Sequence, residues 1–335
     1  MTDATARAQL QQHLHAPLAP QLIYLAVKLG IADHLRDGAR SSAILAQITH
    51  VHGPSLHRVL RGMVMLGLLR EEPNHAFALT PLGTLLQQDH PESLYDDALI
   101  TGELYPAWCR LLQTVQTGAT AFNAVFGSGL FTYFAADPTL TASFNRHMAR
   151  MTRAIATAVI AAYDFAGAQT IIDIGGGYGT LLLPILMHYP AAHGVLFDLP
   201  GVVASAREQL ASDPARARCT CVPGDFFVAV PDGGDVYLLE VVIHDWDDAA
   251  ATRILMNCAR AMHDQSRLVL IERLLPERTL DDPAAIHGDL NMLVLTGGHE
   301  RTLAEYQQLL AAAGLELARR IPTQSPWWVI EAIRR

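Results

Sequence analysis

The chain has 335 residues, half of them hydrophobic and 17% charged. That composition builds about two globular domains with sizeable cores and excludes a disordered or fibrous protein. Its 24 Lys and Arg against 33 Asp and Glu give a net charge of −9, so a broadly basic nucleic-acid footprint is absent. Lys28, in a helix-like apolar stretch, is the one lysine among those cations, which sets aside Schiff-base chemistry. The four cysteines, Cys109, Cys219, Cys221 and Cys258, are too few and too scattered for a disulfide framework and point to a reducing cytoplasm. Residues 1–7 show no basic segment leading into an apolar core, so no signal peptide is expected.

In chain order, residues 20–36 place Leu22, Ile23, Ala26, Leu29, Ile31 and Leu35 at helical spacing, with a break near Gly30. Ser41 and Ser42 offer an N-cap for a short helix, and Pro54-Ser55 open another through Val59, Leu60, Met63 and Leu66. Two short apolar runs around Glu72-Pro73-Asn74 follow as a hairpin, completing a winged-helix pattern. A DNA reader of that type needs a local cationic surplus, yet residues 1–95 hold seven Lys/Arg and seven Asp/Glu, so dimerisation or packing suits the module better. Residues 100–166 are helical in pattern. Within them 111–136 carry no Asp, Glu, Lys or Arg; polar and glycine interruptions exclude a membrane span and suggest helix ends buried against a partner subunit or a ligand.

From residue 167 short apolar runs alternate with helices. Candidate strands are 170–174, 195–198, 217–222, 236–242, 268–273, 315–321 and 327–332, a doubly wound α/β sheet whose last two strands, joined by a short loop, pair antiparallel. The sequence therefore divides into 1–99, 100–166 and 167–335. Asp173-Ile174-Gly175-Gly176-Gly177-Tyr178-Gly179 runs from the first strand into a glycine-rich turn, where such sheets bind nucleotides. The spacing is not that of a dinucleotide fingerprint, because Thr180 stands where the third glycine belongs. A tight strand-to-helix turn without a ligand is the alternative for the loop alone. Asp198 at the end of the second strand can accept both hydroxyls of a ribose. After the third strand, Asp225 can accept from an adenine amino group, with Phe226 against the ring, although a simple turn residue after Pro223-Gly224 is the alternative for Asp225.

Six motifs in order, DIGGGYG, FDLP, GDFF, DVYLLEVVIHDWDD, LIERLLP and DLNMLVLTGGHERT, resemble the S-adenosylmethionine-dependent O-methyltransferases that act on small molecules, of the plant caffeate and bacterial polyketide type. LAVKLGIADHL and FALTPLG extend the resemblance to the N-terminal module, so it spans nearly the whole chain. It implies a seven-stranded methyltransferase domain, an N-terminal winged-helix dimerisation domain, a homodimer and no metal. By motif position it places Asp173, Gly175, Gly177, Asp198, Leu199, Asp225 and Phe226 at the cofactor.

His244 follows the fourth strand at the carboxyl end of the sheet, and an imidazole with an ordinary pKa of about 6.5 suits a general base. The resemblance assigns the base to this same position. It gives Glu272 and Glu300 as the carboxylates that orient the base; each is alternatively a solvated acid or a partner of Arg273 or Arg301. His244, Asp245, Asp247 and Asp248 crowd together, but Asp247 or Asp248 reads as the N-cap of the following helix and Asp245 as facing the cofactor, so no metal site is expected. One departure stands out. Where many members of the family carry Lys or Arg four residues before the base, this chain has Glu240, which puts the adenine contacts in question and leaves open a cofactor-binding homologue with different chemistry. Phe144, Met148 and Met151 share a helix face and are either core or acceptor-pocket residues. Trp108, Phe126, Asp289, Asn291 and Met292 join them by motif position. A pocket of Met and aromatic walls suits a flat, hydroxylated aromatic acceptor, with neither nucleic acid nor membrane as partner.

Overall fold

A computed structural model describes residues 3–335; Met1 and Thr2, at the head of the stretch read for a signal peptide, lie outside the described residues. The chain forms two compact units, one made of residues up to Cys109 with Phe134–His147, the other of Arg110–Tyr133 with Met148–Arg335.

In the first unit the amphipathic segments fold as the helices Leu18–Lys28, Ile31–His34, Ser42–Thr49 and Gly53–Met65. Gly30 breaks the first two apart at φ 60°, a left-handed turn that costs glycine little. The Ser41 hydroxyl accepts from the Ile44 N–H at 3.3 Å and starts the third, and Pro54 occupies the first turn of the fourth. Three strands, β1 (Arg40–Ser41), β2 (Leu69–Glu72) and β3 (Ala76–Leu79), form an antiparallel sheet in the order β1-β3-β2. The two-residue β1 is too short to leave a periodic signal. Val27, Ile31, Leu45, Leu60, Met63 and Phe77 form the core. Tyr95–Trp108 packs here as well, where Gly102 lets the helix approach Tyr24; a Cβ at that position would fall 2.0 Å from the ring.

The second unit is built on β4 (Thr170–Ile174), β5 (His193–Asp198), β6 (Cys219–Pro223), β7 (Val236–Glu240), β8 (Arg267–Glu272), β9 (Leu315–Pro322) and β10 (Trp328–Arg334). Their order is β6-β5-β4-β7-β8-β10-β9. The first five run parallel, and β10 pairs antiparallel with both β8 and β9. The sheet is the seven-stranded one expected. Alternation along the strands supplies both faces. Ile171, Val236, Leu238, Val269 and Ile271 pack with Ile155, Val159 and Leu182 on one side; Ile172, Tyr237, Leu239, Leu268 and Leu270 pack with Ile254, Leu255, Tyr306 and Leu310 on the other. Each fully buried aliphatic side chain contributes roughly 1.5–3 kcal/mol, so the carboxyl rim of the strands rests on a rigid base.

Some boundaries move. β6 starts at Cys219, and β7 stops at Glu240 rather than at residue 242 because Val241 turns to φ 56°, a conformation that costs a β-branched residue. The uncharged segment 111–136 breaks into Leu111–Thr117, Ala121–Phe126 and Leu130–Ala135; Ala121 and Phe122 are buried, while Leu112 and Val115 are each 70% exposed. All four cysteines are free, and among the described residues no helix is long and apolar enough to cross a membrane.

Candidate active site

β4 delivers the glycine loop to the carboxyl rim of the sheet. Gly175 sits at φ 70° and its N–H donates to the Phe197 carbonyl at 2.8 Å. The loop folds directly over Asp173: a Cβ at Gly176 would lie 2.7 Å from Asp173 Oδ2. Asp173 is 1% exposed and Oδ2 has no hydrogen-bond partner. Burial, then the charges of Glu240 and Asp198, hold its carboxyl well above the usual range. An orphaned acceptor beneath a glycine loop is suited to a ligand that brings donors or positive charge. Asp198, at the end of β5, accepts from the Gly177 N–H at 2.9 Å and from the Leu199 N–H at 2.7 Å, and each oxygen keeps a lone pair for a ligand hydroxyl. Phe226 closes the other side, its Cε1 3.7 Å from where a Gly175 Cβ would stand. Asn257 Nδ2 donates to the Phe226 carbonyl at 2.7 Å. Asp225 is exposed and accepts from the Phe227 N–H at 2.8 Å, so its turn-forming role is present whatever else it binds. The Trp246 indole N–H is buried without a partner, beside the rings of Phe131, Phe226 and Phe227.

Beyond β7 the chain bends sharply. Val241 at φ 56° and Val242 in the right-handed region point two successive N–H groups at one acceptor. Glu272 Oε1, at the end of β8, receives both, from Val242 at 3.2 Å and Ile243 at 2.8 Å. His244 follows, 5% exposed. Its Nδ1 lies 3.2 Å from Glu300 Oε1 and 3.4 Å from Glu272 Oε2. The hydrogen bond to Glu300, with the Glu272 carboxylate alongside as a charge, fixes a proton on Nδ1 and leaves Nε2 as the free face of the imidazole; Asp245 Oδ1, 3.8 Å from Nε2, is beyond hydrogen-bonding distance. Burial acts to lower the His244 pKa, but the charge of Glu272, the hydrogen bond to Glu300 and the charges of Asp245 and Glu300 overrule it and push it up to about 10. Burial raises Glu272 to about 7 and Asp245 to about 6, in both cases against the pull of His244.

Glu272 and Glu300 are 0% and 2% exposed, which removes the alternative of solvated acids, and the nearby guanidinium of Arg301 goes elsewhere. One potential ligand atom each from His244, Glu272 and Glu300 lies within 4.8 Å of the others, a set different from the run of aspartates weighed in the sequence. The Asp247 carboxylate instead caps the helix Asp248–Ala261, accepting from the Ala250 N–H at 2.8 Å.

Of the acceptor candidates, Asp289 is joined to the histidine cluster: its Oδ1 accepts from the Glu300 N–H at 3.0 Å. Asn291 and Met292 lie half-buried on the same helix, Pro283–Leu295. Met148 and Met151 are half-buried on Pro138–Ala162, and Met151 packs against the sheet core. Phe126 packs in tilted ring contacts against Phe122 and Tyr133, with centroids 4.5 and 4.6 Å apart. Trp108 and Phe144 belong to the first unit, where Phe144 stacks on Phe134 at 4.4 Å.

Two residues hold the site in roles the sequence did not show: Arg301, considered there only as a partner of the acids, and Gly298. Arg301, 0% exposed, donates to the carbonyls of Ile243 at 3.1 Å and Trp246 at 2.8 Å and to Asp248 Oδ1 at 2.8 Å, strapping the turn that carries His244. Gly298 packs so tightly that a Cβ would fall 2.1 Å from the His244 carbonyl oxygen. The paired glycines of TGGHERT were the available signal for Gly298; nothing local marks Arg301 as buried.

Comparison with known proteins agrees with this geometry. Residues 108–316 match the O-methyltransferase domain and residues 11–89 the O-methyltransferase dimerisation domain. The chain is 44% identical over 316 residues to the phenazine O-methyltransferase PhzM of Lysobacter antibioticus, covering 93% of this chain and 92% of that one. It is 31% identical to the phenazine-1-carboxylate N-methyltransferase of Pseudomonas aeruginosa over 99% of each. The solved O-methyltransferase NcsB1 from neocarzinostatin biosynthesis, in complex with S-adenosylmethionine and 2-hydroxy-5-methyl naphthoic acid, superimposes with a TM-score of 0.86 at 30% identity, covering 95% of this chain and 96% of that one. The chain therefore belongs to the O-methyltransferase family and is an S-adenosylmethionine-dependent enzyme. The orphaned Asp173 oxygen, the glycine loop and Asp198 fit that cofactor, which carries donors and positive charge.

Proposed function

We propose that this enzyme methylates a phenolic hydroxyl of a small aromatic natural product, with His244 as general base. The observation that carries this reading is His244 flanked at Nδ1 by two buried carboxylates with Nε2 left free, at the same sheet rim as the glycine loop. When bound, S-adenosylmethionine supplies the electrophilic methyl carbon. Asp173, Gly175, Gly177, Asp198, Leu199, Asp225, Phe226 and Glu240 hold it. His244 Nε2 takes the hydroxyl proton as the acceptor oxygen becomes nucleophilic, and Glu272 and Glu300 stabilise the imidazolium that results. Phe126, Met148, Met151, Asp289, Asn291 and Met292, all of the second unit, receive the acceptor, whose aromatic character is supported by the naphthoic acid bound to NcsB1.

We also read the Glu272–His244–Glu300 set as the cluster that orients the base rather than a metal site: Glu300 Oε1 is hydrogen-bonded to His244 Nδ1, and Glu272 Oε1 accepts from two backbone N–H groups. Full activity in excess chelator is expected. The matched dimerisation domain supports a homodimer, with residues 1–99 as a winged-helix-like dimerisation module, 100–166 as a pocket-forming linker and 167–335 as the cofactor domain. A cytoplasmic enzyme that contacts neither membrane nor nucleic acid completes the reading.

The test is to incubate the enzyme with S-adenosylmethionine and a panel of phenols and aromatic amines, then count products by mass spectrometry. One S-adenosylhomocysteine per O-methylated phenol is expected. Methylation confined to the amines, or S-adenosylhomocysteine without methylated product, contradicts it.

A further inference from the structure

Glu240 ends β7, between the cofactor loop on β4 and the turn that carries His244. The register sets Leu238 opposite Asp173, and side chains two apart share a face of the sheet, so Asp173, Leu238 and Glu240 point to the same side. Residues on that face beyond the last β4–β7 pair stand at the carboxyl rim. Glu240 Oε1 is buried with no hydrogen-bond partner, as is Asp173 Oδ2. The Thr152 hydroxyl donates to the Glu240 carboxylate.

A buried carboxylate with an unanswered oxygen, one strand from an equally unanswered aspartate, is an acceptor waiting for positive charge. The cofactor carries two cationic groups: an ammonium, which survives the reaction, and a sulfonium, which does not. The methyl carbon must leave the glycine loop toward the side of His244, and Glu240 stands between them. We propose that Glu240 is the carboxylate that faces the sulfonium and makes the enzyme prefer the methyl donor over its demethylated product. This rests on the cofactor reading but not on the role of His244. Asp173 on β4 and Asp198 at the end of β5 are taken to meet parts of the cofactor common to both forms and give no such preference.

The charge of Glu240 is itself variable. Burial, then the charge of Glu272, raise its pKa to about 7, against Thr152 and the charge of His244. The titratable groups around it are Asp173 on β4, His244 in the turn after β7 and Glu272 on β8; Thr152 is the neutral contact from Pro138–Ala162. Preference for the sulfonium form therefore grows as pH rises through 7 and the carboxylate forms.

The experiment is a calorimetric titration of wild type and Glu240→Gln with S-adenosylmethionine and with S-adenosylhomocysteine, from pH 6 to 8.5. The readout is the ratio of the two dissociation constants. In wild type the ratio is expected to move toward S-adenosylmethionine by roughly tenfold across this range, an effect of the size a partly screened charge pair produces. In Glu240→Gln most of that rise disappears and the preference at pH 8.5 falls by about the same factor. Asp173, His244 and Glu272 remain in the variant, so any slope they cause remains too. A flat ratio in wild type overturns the proposal without any variant, and a variant that keeps the wild-type ratio and slope overturns it as well. Loss of binding of both ligands by wild type would instead strike the cofactor reading.

Discussion

At the scale of single residues the site is a balance of buried charge. His244 is pushed up to about 10 by its carboxylates, yet a base must be unprotonated to act, so kcat/KM is expected to climb from neutral to alkaline pH. Glu300→Gln takes away one of the groups that raise it. The rising limb of the pH profile should then move at least one unit toward acid while turnover falls; a limb that stays in place would mean Glu300 does not govern the base. Glu240 makes a stability prediction of opposite sense to the usual paired acid. Its folded pKa of about 7 exceeds the ordinary value near 4.3, so the stability it lends is complete below the unfolded pKa and is lost as pH rises toward 7. Glu240→Gln should therefore stabilise the ligand-free protein at pH 8 by at most about 4 kcal/mol, and by almost nothing at pH 4. Thermal melts at the two pH values check this. His244 could be nominated from its place after the fourth strand at the carboxyl end of the sheet, whereas Glu272 and Glu300 were named by the family resemblance. Their distances, and the fact that both acids lie at Nδ1, depend on β7, β8 and the loop after Pro283–Leu295 meeting in space.

At the scale of elements, the turn after β7 is where a local rule is broken. The nearly continuous apolar run goes on through Val241 and Val242, so the pattern extends the strand to 242, whereas the backbone turns at Val241 to aim two N–H groups at Glu272. Hydrophobic pattern cannot register that turn, because its cause is an acid 30 residues away. Arg301 holds the far side through two main-chain carbonyls. Arg301→Met takes the guanidinium from both carbonyls, but Ile243 keeps the Trp246 N–H at 3.3 Å, so the Trp246 carbonyl is the one to lose its donor, worth roughly 1–3 kcal/mol when buried. A loss of about 1–3 kcal/mol is expected in a denaturant melt, with larger loss of turnover than of S-adenosylmethionine affinity; unaltered stability would show that water replaces the guanidinium. The caps were easier to read. Ser41 and Asp247 start their helices by accepting backbone N–H groups, a local geometry that residue type alone announces.

At the scale of the whole molecule, the order of short apolar runs and helices was enough to suggest the parallel sheet with its antiparallel last pair, since the central runs β4, β7 and β8 are nearly continuous and buried on both faces. The two-unit division was less legible, for Phe134–His147 joins the first unit although the sequence around it belongs to the second. Sedimentation equilibrium of the full chain should give twice the chain mass; a monomer at micromolar concentration would contradict the homodimer. The central claim is that His244 removes the proton from the acceptor hydroxyl. Its most direct test is His244→Ala, assayed for turnover on the best phenolic acceptor and for S-adenosylmethionine affinity in parallel. Turnover is expected to fall roughly 10² to 10⁴-fold with cofactor affinity within a few-fold of wild type; wild-type turnover in a variant that binds the cofactor normally would contradict the mechanism.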